Sequence, residues 1–248
     1  MNLHELVDYT GQLLEVERFR DYCPNGLQVQ GKAQVRRLVS GVTASMQLLQ
    51  AAHAAGADAI LVHHGYFWRN EASVVTGIKH ARLKFLLQND ISLLAYHLPL
   101  DAHPELGNNA QLGRILGMVQ EGWTGEQSLI AYGHLLQETT LTAFAETLGR
   151  RLKRIPQIFG EANRKIRRIA WCTGGAQGYF EAAIAMGVDV YITGEVSEQV
   201  FHLAQETGVA YIAAGHHATE RYGVQMLGRH LAEKFGLEHE YIDIENPI

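Results

Sequence analysis

The chain has 248 residues, 47% of them hydrophobic and 19% charged, with a formal net charge of -5 at pH 7. That is enough for one large or two small domains with a real core, and the acidic balance argues against a nucleic-acid binder, which carries a basic footprint. Two cysteines, Cys23 and Cys172, make neither a disulfide framework nor a Cys-rich zinc site and suit a reduced, cytoplasmic setting; the anomaly is the 13 histidines.

Residues 1–22 lack the basic start and apolar core of a signal peptide. No stretch reaches the ~20 apolar residues of a membrane span, so a soluble protein with no membrane partner is expected. Leu3, Leu6, Val7, Leu13 and Leu14 predict an opening helix with one buried face, and Pro24-Asn25-Gly26 a turn. Leu38 to Thr43 then reads as a buried strand, Ser45 to Ala55 as a helix closing at Gly56, and Ala59 to His63 as a second strand. A helix over about Ile78 to Gln88 leads to a third strand, Ile91 to Tyr96. This βαβαβ order implies a mostly parallel sheet flanked by helices.

From Gly117 to Asn163 the texture changes: Trp123-Thr124-Gly125 suggests a loop, Ile130 to Leu136 a strand, and Thr140 to Leu152 a Thr-capped helix. The first pattern then recurs. Arg36-Arg37-Leu38 finds a counterpart in Arg167-Arg168-Ile169, and Ala51 to Asp58 falls without a gap on Ala182 to Asp189. Val188 to Thr193 and Val209 to Ala214 take the second and third strand positions, and Tyr222 through Phe235 reads as a closing helix. The expected architecture is α/β, two similar βαβαβ halves from an internal duplication. Residues 1–120 form the first half and 121–248 the second, which includes a linking strand-helix segment over about 121–165.

Both matched halves end in a histidine-carboxylate pair of one spacing, which supports the duplication: His97-Leu-Pro-Leu-Asp101, and His216-His217-Ala-Thr-Glu220. His63-His64 ends the apolar run Ile60-Leu61-Val62, at the carboxyl edge of a parallel strand, where open α/β sheets bind ligands. Gly65 lets the chain turn, so adjacent imidazoles can serve two neighbouring ions. Asp101 follows the third strand, with Pro99 ending that strand and aiming a loop. If the turn after His216 is helical, His216 and Glu220 share a face at i,i+4. The imidazole and carboxylate donors suit zinc, iron, manganese or nickel without a thiolate. The competing view is a polar cluster where loops gather. Thr173-Gly174-Gly175 lacks the full dinucleotide or Walker pattern and reads as a plain strand-helix turn more readily than as a phosphate site, and Thr193-Gly194-Glu195 stands where the first half has His63-His64.

Across Tyr22-Cys23-Pro24-Asn25-Gly26-Leu27-Gln28, His63-His64-Gly65, His97 to Asp101, Thr193-Gly194-Glu195 and Gly215 to Glu220, the chain resembles the GTP cyclohydrolase I type 2 homologues, also called Nif-three-like proteins, in their short bacterial form. The resemblance spans nearly the whole length. It implies a dinuclear metal site in the cleft between two α/β halves, and a homo-oligomer, commonly a hexamer. Carried over by motif, the metal ligands are His63, His64, Asp101, His216 and Glu220, with His97 a further ligand or a group beside the metals. Iron, zinc and manganese all remain open. The expected function is a cyclohydrolase-like hydrolase using a metal-activated water on a small nucleotide-like or heterocyclic substrate, with His97 or His217 shuttling the proton. The alternative is a non-catalytic metal-binding scaffold or regulatory interaction protein. Peptidase or phosphoesterase chemistry would use the same ligands.

Overall fold

In the computed structural model, which describes residues 1–248, the chain opens with helix α1 (Leu3–Leu13). Its N-cap Asn2 accepts from the backbone N–H of His4 at 2.9 Å, and Leu3 and Leu6 are fully buried. Strands β1 (Gly26–Val29), β2 (Arg37–Thr43), β3 (Ala59–His64) and β4 (Ser92–Ala95) follow, with α2 (Met46–Ala54) and α3 (Gly77–Gln88) as the crossovers. Strands β2, β3 and β4 run parallel, β1 pairs antiparallel with β4, and β11 (Glu238–Tyr241) adds a parallel strand beside β2. Val39, Leu48, Leu49, Ile60, Val62 and Leu93 form the core under this sheet. Each such side chain contributes about 1.5–3 kcal/mol on burial.

The second sheet is mixed, in the order β5-β6-β8-β9-β10-β7. Its strands are β5 (Met118–Thr124), β6 (Ile130–Thr140), β7 (Gln157–Phe159), β8 (Lys165–Trp171), β9 (Val190–Thr193) and β10 (Ala210–Ala213). The β8-β9-β10 triplet is parallel; β5 on β6, β6 on β8 and β7 on β10 are antiparallel. Trp123 and Thr124, expected in a loop, lie inside β5, and Gly125 makes the turn with φ 76°. Helix α6 (Leu141–Leu152) has the expected Thr140 cap and packs Leu141, Phe144 and Leu148 against Ile169, Trp171 and Ile192.

Backbone contacts divide the chain into one unit of Met1–Leu100 with Gly223–Glu245, and another of Asp101–Tyr222 with Asn246–Ile248. The division expected at 120/121 therefore falls elsewhere. The segment over 121–165 supplies β6 inside the second sheet and most of β5 and all of β7 at its two edges, and β11 returns to the first. Two of the three boundaries lie inside helices, α4 (Leu98–Ala102) and α9 (His216–Phe235), and the third follows β11.

The repeat is written in the hydrogen bonding. Asp58 Oδ2 accepts from the backbone N–H groups of Arg36 and Arg37 at 3.0 and 3.1 Å. Asp189 Oδ2 does the same for Arg167 and Arg168, both at 2.8 Å. Leu38 pairs with Ala59 as Ile169 pairs with Val190, and Gly56 and Gly187 both take positive φ before the strand. At the third strand, Tyr96 N donates to Val62 O as Ala214 N donates to Thr193 O. That register sets His97 against Gly215 and Asp101 against Thr219. The two His-x-x-x-acid pairs are thus displaced by one position and are not equivalents by duplication.

Candidate functional site

In the first unit three imidazoles converge. His63, His64 and His97 place one ring nitrogen each within 4.8 Å of one another. Parallel strand β3 carries His63 and His64 to the carboxyl edge of the sheet, as expected, and His97 follows β4 along that edge. His63 is fully buried and its Nδ1 lies 2.9 Å from the carbonyl oxygen of Tyr96. A carbonyl only accepts, so Nδ1 carries the proton and Nε2 the lone pair, the tautomer a metal ligand needs. Thr43 Oγ1 lies 3.2 Å from His64 Nδ1.

His97 is fixed by Asp21, which the sequence reading passed over, and by Asn25, which it placed in a turn. Its Nδ1 donates to Asp21 Oδ1 at 2.7 Å, and its backbone N–H donates to Asn25 Oδ1 at 2.7 Å. Asp21 Oδ2 also accepts from Leu98 N and Asn25 Nδ2, both at 2.9 Å. Burial would raise the Asp21 carboxyl, but the hydrogen bond and charge of His97 outweigh it and hold the group below the usual range. Gln28 clasps the turn beyond His64, accepting from Tyr66 N at 2.7 Å and donating to Tyr66 O at 3.1 Å. The stretch from Tyr22 to Gln28 is thus a brace for the histidines. Cys23, within reach of Asp21 and His97, is pushed up to about 12 by burial and then by Asp21, so it stays a thiol.

In the second unit, three strand ends are stitched together. Gly194 N donates to Gly174 O at 2.8 Å, Gly215 N to Gly194 O at 2.9 Å, and Gly174 N to Thr219 Oγ1 at 3.0 Å. Helix α9 starts at His216, earlier than the Tyr222 expected, so the i,i+4 condition is met. His216 Nε2 lies 3.0 Å from Glu220 Oε2, and His216 Nδ1 lies 2.7 Å from Glu195 Oε1. Burial would lower the His216 pKa, but the hydrogen bonds and charges of Glu220 and Glu195 raise it to about 9. In the absence of metal the ring is therefore cationic at neutral pH and paired with both carboxylates.

Asp101 lies in α4 rather than in the loop expected after Pro99; proline is tolerated in the first turn of a helix, where its missing N–H has no intrahelical partner. Its Oδ1 accepts from Asn108 Nδ2 at 2.9 Å and Thr173 Oγ1 at 3.2 Å, while Asn109 Nδ2 holds its backbone carbonyl at 3.2 Å. Gly174 has φ 70°, and a Cβ there would collide with the Glu220 carboxylate, so the glycine makes room for that side chain. Gly194 explains the missing dyad: a Cβ there would meet Gly174 O and His216 Cα at 2.6 Å, leaving no room for a counterpart of His63. His217 is buried and its backbone N–H donates to Ile248 O at 3.0 Å; its ring belongs to none of the ligand clusters. Burial, and then Asp101 and Glu220, hold the Cys172 thiol well above its ordinary pKa, so it supplies no thiolate.

Residues 1–247 match the family model described as Duf34/NIF3 (NGG1p interacting factor 3). A relative in Pseudomonas aeruginosa, named GTP cyclohydrolase 1 type 2 homolog, is 57% identical over 99% of this chain and 98% of its own. Among solved structures, the ybgI protein, described as of unknown function, matches with a TM-score of 0.96 at 47% identity, covering 100% of both chains. The TTHA1606 protein from Thermus thermophilus matches at 0.91 and 33%, again covering 100% of both.

Proposed function

Because the chain belongs to the Duf34/NIF3 family, we propose that it is a metal-dependent hydrolase in which His63, His64, Asp101, His216 and Glu220 hold about two divalent ions. The observation that carries this reading is the donor chemistry. His63 is locked by the Tyr96 carbonyl in the ligating tautomer, beside two further imidazoles. Asp101 and His216 are each oriented by partners of their own, Asn108 and Thr173 for the carboxylate and Glu195 for the ring. Such outer partners recur around metal ligands because they fix orientation and basicity. With imidazole and carboxylate donors and both thiols protonated, iron, zinc and manganese all suit the set.

Bound divalent ions would supply Lewis acidity and lower the pKa of a water molecule. The protein's own contribution centres on His97. Asp21 takes its Nδ1–H, so Nε2 is the atom that accepts and returns a proton. His217 is the second candidate for that transfer. The relatives' name points to a small nucleotide-like or heterocyclic substrate. Self-association to a homohexamer and a cytoplasmic location complete the proposal.

The test is turnover by metal-loaded protein across nucleotides, cyclic amides and phosphoesters, with His97→Ala alongside. Hydrolysis of one class that falls at least about 100-fold in the variant, with metal retained, supports the reading. Failure across the panel, with metal bound, would favour the non-catalytic scaffold.

A further inference from the structure

A pinned aromatic rim stands beside the three imidazoles of the first unit, and nothing in the hydrolase reading uses it. Trp68 sets its ring 5.0 Å from His97, edge to face at 84°, and 6.0 Å from His64. Its single polar atom, Nε1, donates to Gly65 O at 3.2 Å, so the half-buried indole has only its π surface left to offer. Tyr22 stands 6.5 Å from His97 on the neighbouring segment and is 54% exposed. The guanidinium of Arg69 lies 5.4 Å over the Tyr22 ring.

This rim is tied down. Arg69 N donates to Tyr22 O at 2.7 Å, Arg69 Nη2 to Asp21 O at 3.0 Å, and Trp68 N to Glu71 Oε2 at 3.1 Å. Asp21, which holds His97, therefore also anchors the arginine. A guanidinium carries five N–H donors in a planar fork that matches phosphate or carboxylate oxygens. The exposed Arg69 therefore retains donors for an anion beyond its bond to Asp21. Aromatic faces stack on planar heterocycles without demanding particular polar edges.

We infer that Trp68 and Arg69 are the residues that select the substrate: Trp68 stacks on a planar heterocycle, and Arg69, propped on Tyr22, binds an anionic group attached to it. This rests on the hydrolase reading for what becomes of the ligand, but binding can be measured without turnover. A Trp68 that merely walled in the histidines would affect metal retention and leave ligand choice unchanged.

The experiment is calorimetric titration of the full metal-loaded chain with guanosine monophosphate, guanosine and ribose 5-phosphate, metal content being measured for each variant. Trp68→Leu should weaken guanosine monophosphate and guanosine by about tenfold or more and leave ribose 5-phosphate unchanged. Arg69→Gln should weaken the two phosphorylated probes and spare guanosine. Should Trp68→Leu fail to fold, Trp68→Phe decides in its place: it should keep stacking within a few fold while losing the ligand-induced tryptophan fluorescence change. Wild-type affinities in Trp68→Leu or Arg69→Gln with metal retained, an unchanged ligand-induced fluorescence change in Trp68→Phe, or no guanosine monophosphate binding by the loaded wild type, would overturn the assignment. In the latter case turnover of a non-heterocyclic substrate would leave the hydrolase reading standing. Binding through Trp68 and Arg69 without turnover of any substrate would do the reverse.

Discussion

Asp21 and His97 are 76 positions apart in sequence and 2.7 Å apart in space. Asp21→Asn keeps the shape and removes the charge, and is expected to weaken zinc binding, turnover or both by about 10–100-fold. Competition against a chromophoric chelator and a kcat measurement check this; wild-type values in both would contradict it. His216 gives a pH signature. Its folded-state pKa, about 9, lies above the ordinary 6.5, so its contribution to metal-free stability is complete below about 6.5 and is lost as pH rises through about 9. Thermal unfolding of chelator-treated protein should show that decline in the wild type and a flatter profile in His216→Gln; equal slopes would refute the assignment. At this scale the histidines and carboxylates were legible because strand ends and glycine turns mark them. The orienting roles of Asp21, Thr173 and Asn108 were not, since a residue that orients another through one hydrogen bond leaves no periodicity and no spacing.

The paired aspartates operate at the scale of elements. Asp58 and Asp189 each accept from two backbone N–H groups, at the start of β2 and within β8, and replacing either with Ala should cost about 1–2 kcal/mol by denaturant unfolding. Losses below a few tenths in both would show that water replaces these bonds. Burial would raise the Asp58 carboxyl, yet Lys32 and the two backbone N–H groups lower it. Its stabilising contribution is therefore present above the unfolded value near 3.9 and is lost as pH falls through the lower folded one. Asp58→Asn should accordingly flatten the acid limb of the stability curve. The central strands and their helices were legible because apolar runs alternate with capped helical stretches. Strand β5 was misread because Gly122 and Gly125 flank Trp123-Thr124 and mimic a loop; the antiparallel pairing with β6 overrides that local signal. The shared His-x-x-x-acid spacing misled in another way. Both pairs follow a third strand, but register rather than spacing determines which residues correspond.

For the whole molecule, the two units are not two consecutive stretches of chain. The first is completed by Gly223–Glu245, and β11 pairs in parallel with β2 along residues Arg37 to Ser40. A fragment of residues 1–120 lacks that strand and leaves the edge of β2 unpaired, a template for aggregation. It should fail to unfold cooperatively by circular dichroism, and co-expression with 121–248 should restore the transition. A cooperative, monomeric 1–120 fragment would contradict the account. The sequence could not reveal this return, because β11 reads Glu-His-Glu-Tyr, with no apolar run to mark a strand.

Metal binding by the ligands of both clusters is tested directly by metal per chain, from elemental analysis of untagged protein prepared without chelators. About two ions per chain, falling on Asp101→Ala or Glu220→Ala, is the predicted result. A chain that stays metal-free after anaerobic reconstitution with iron, manganese and zinc would contradict it.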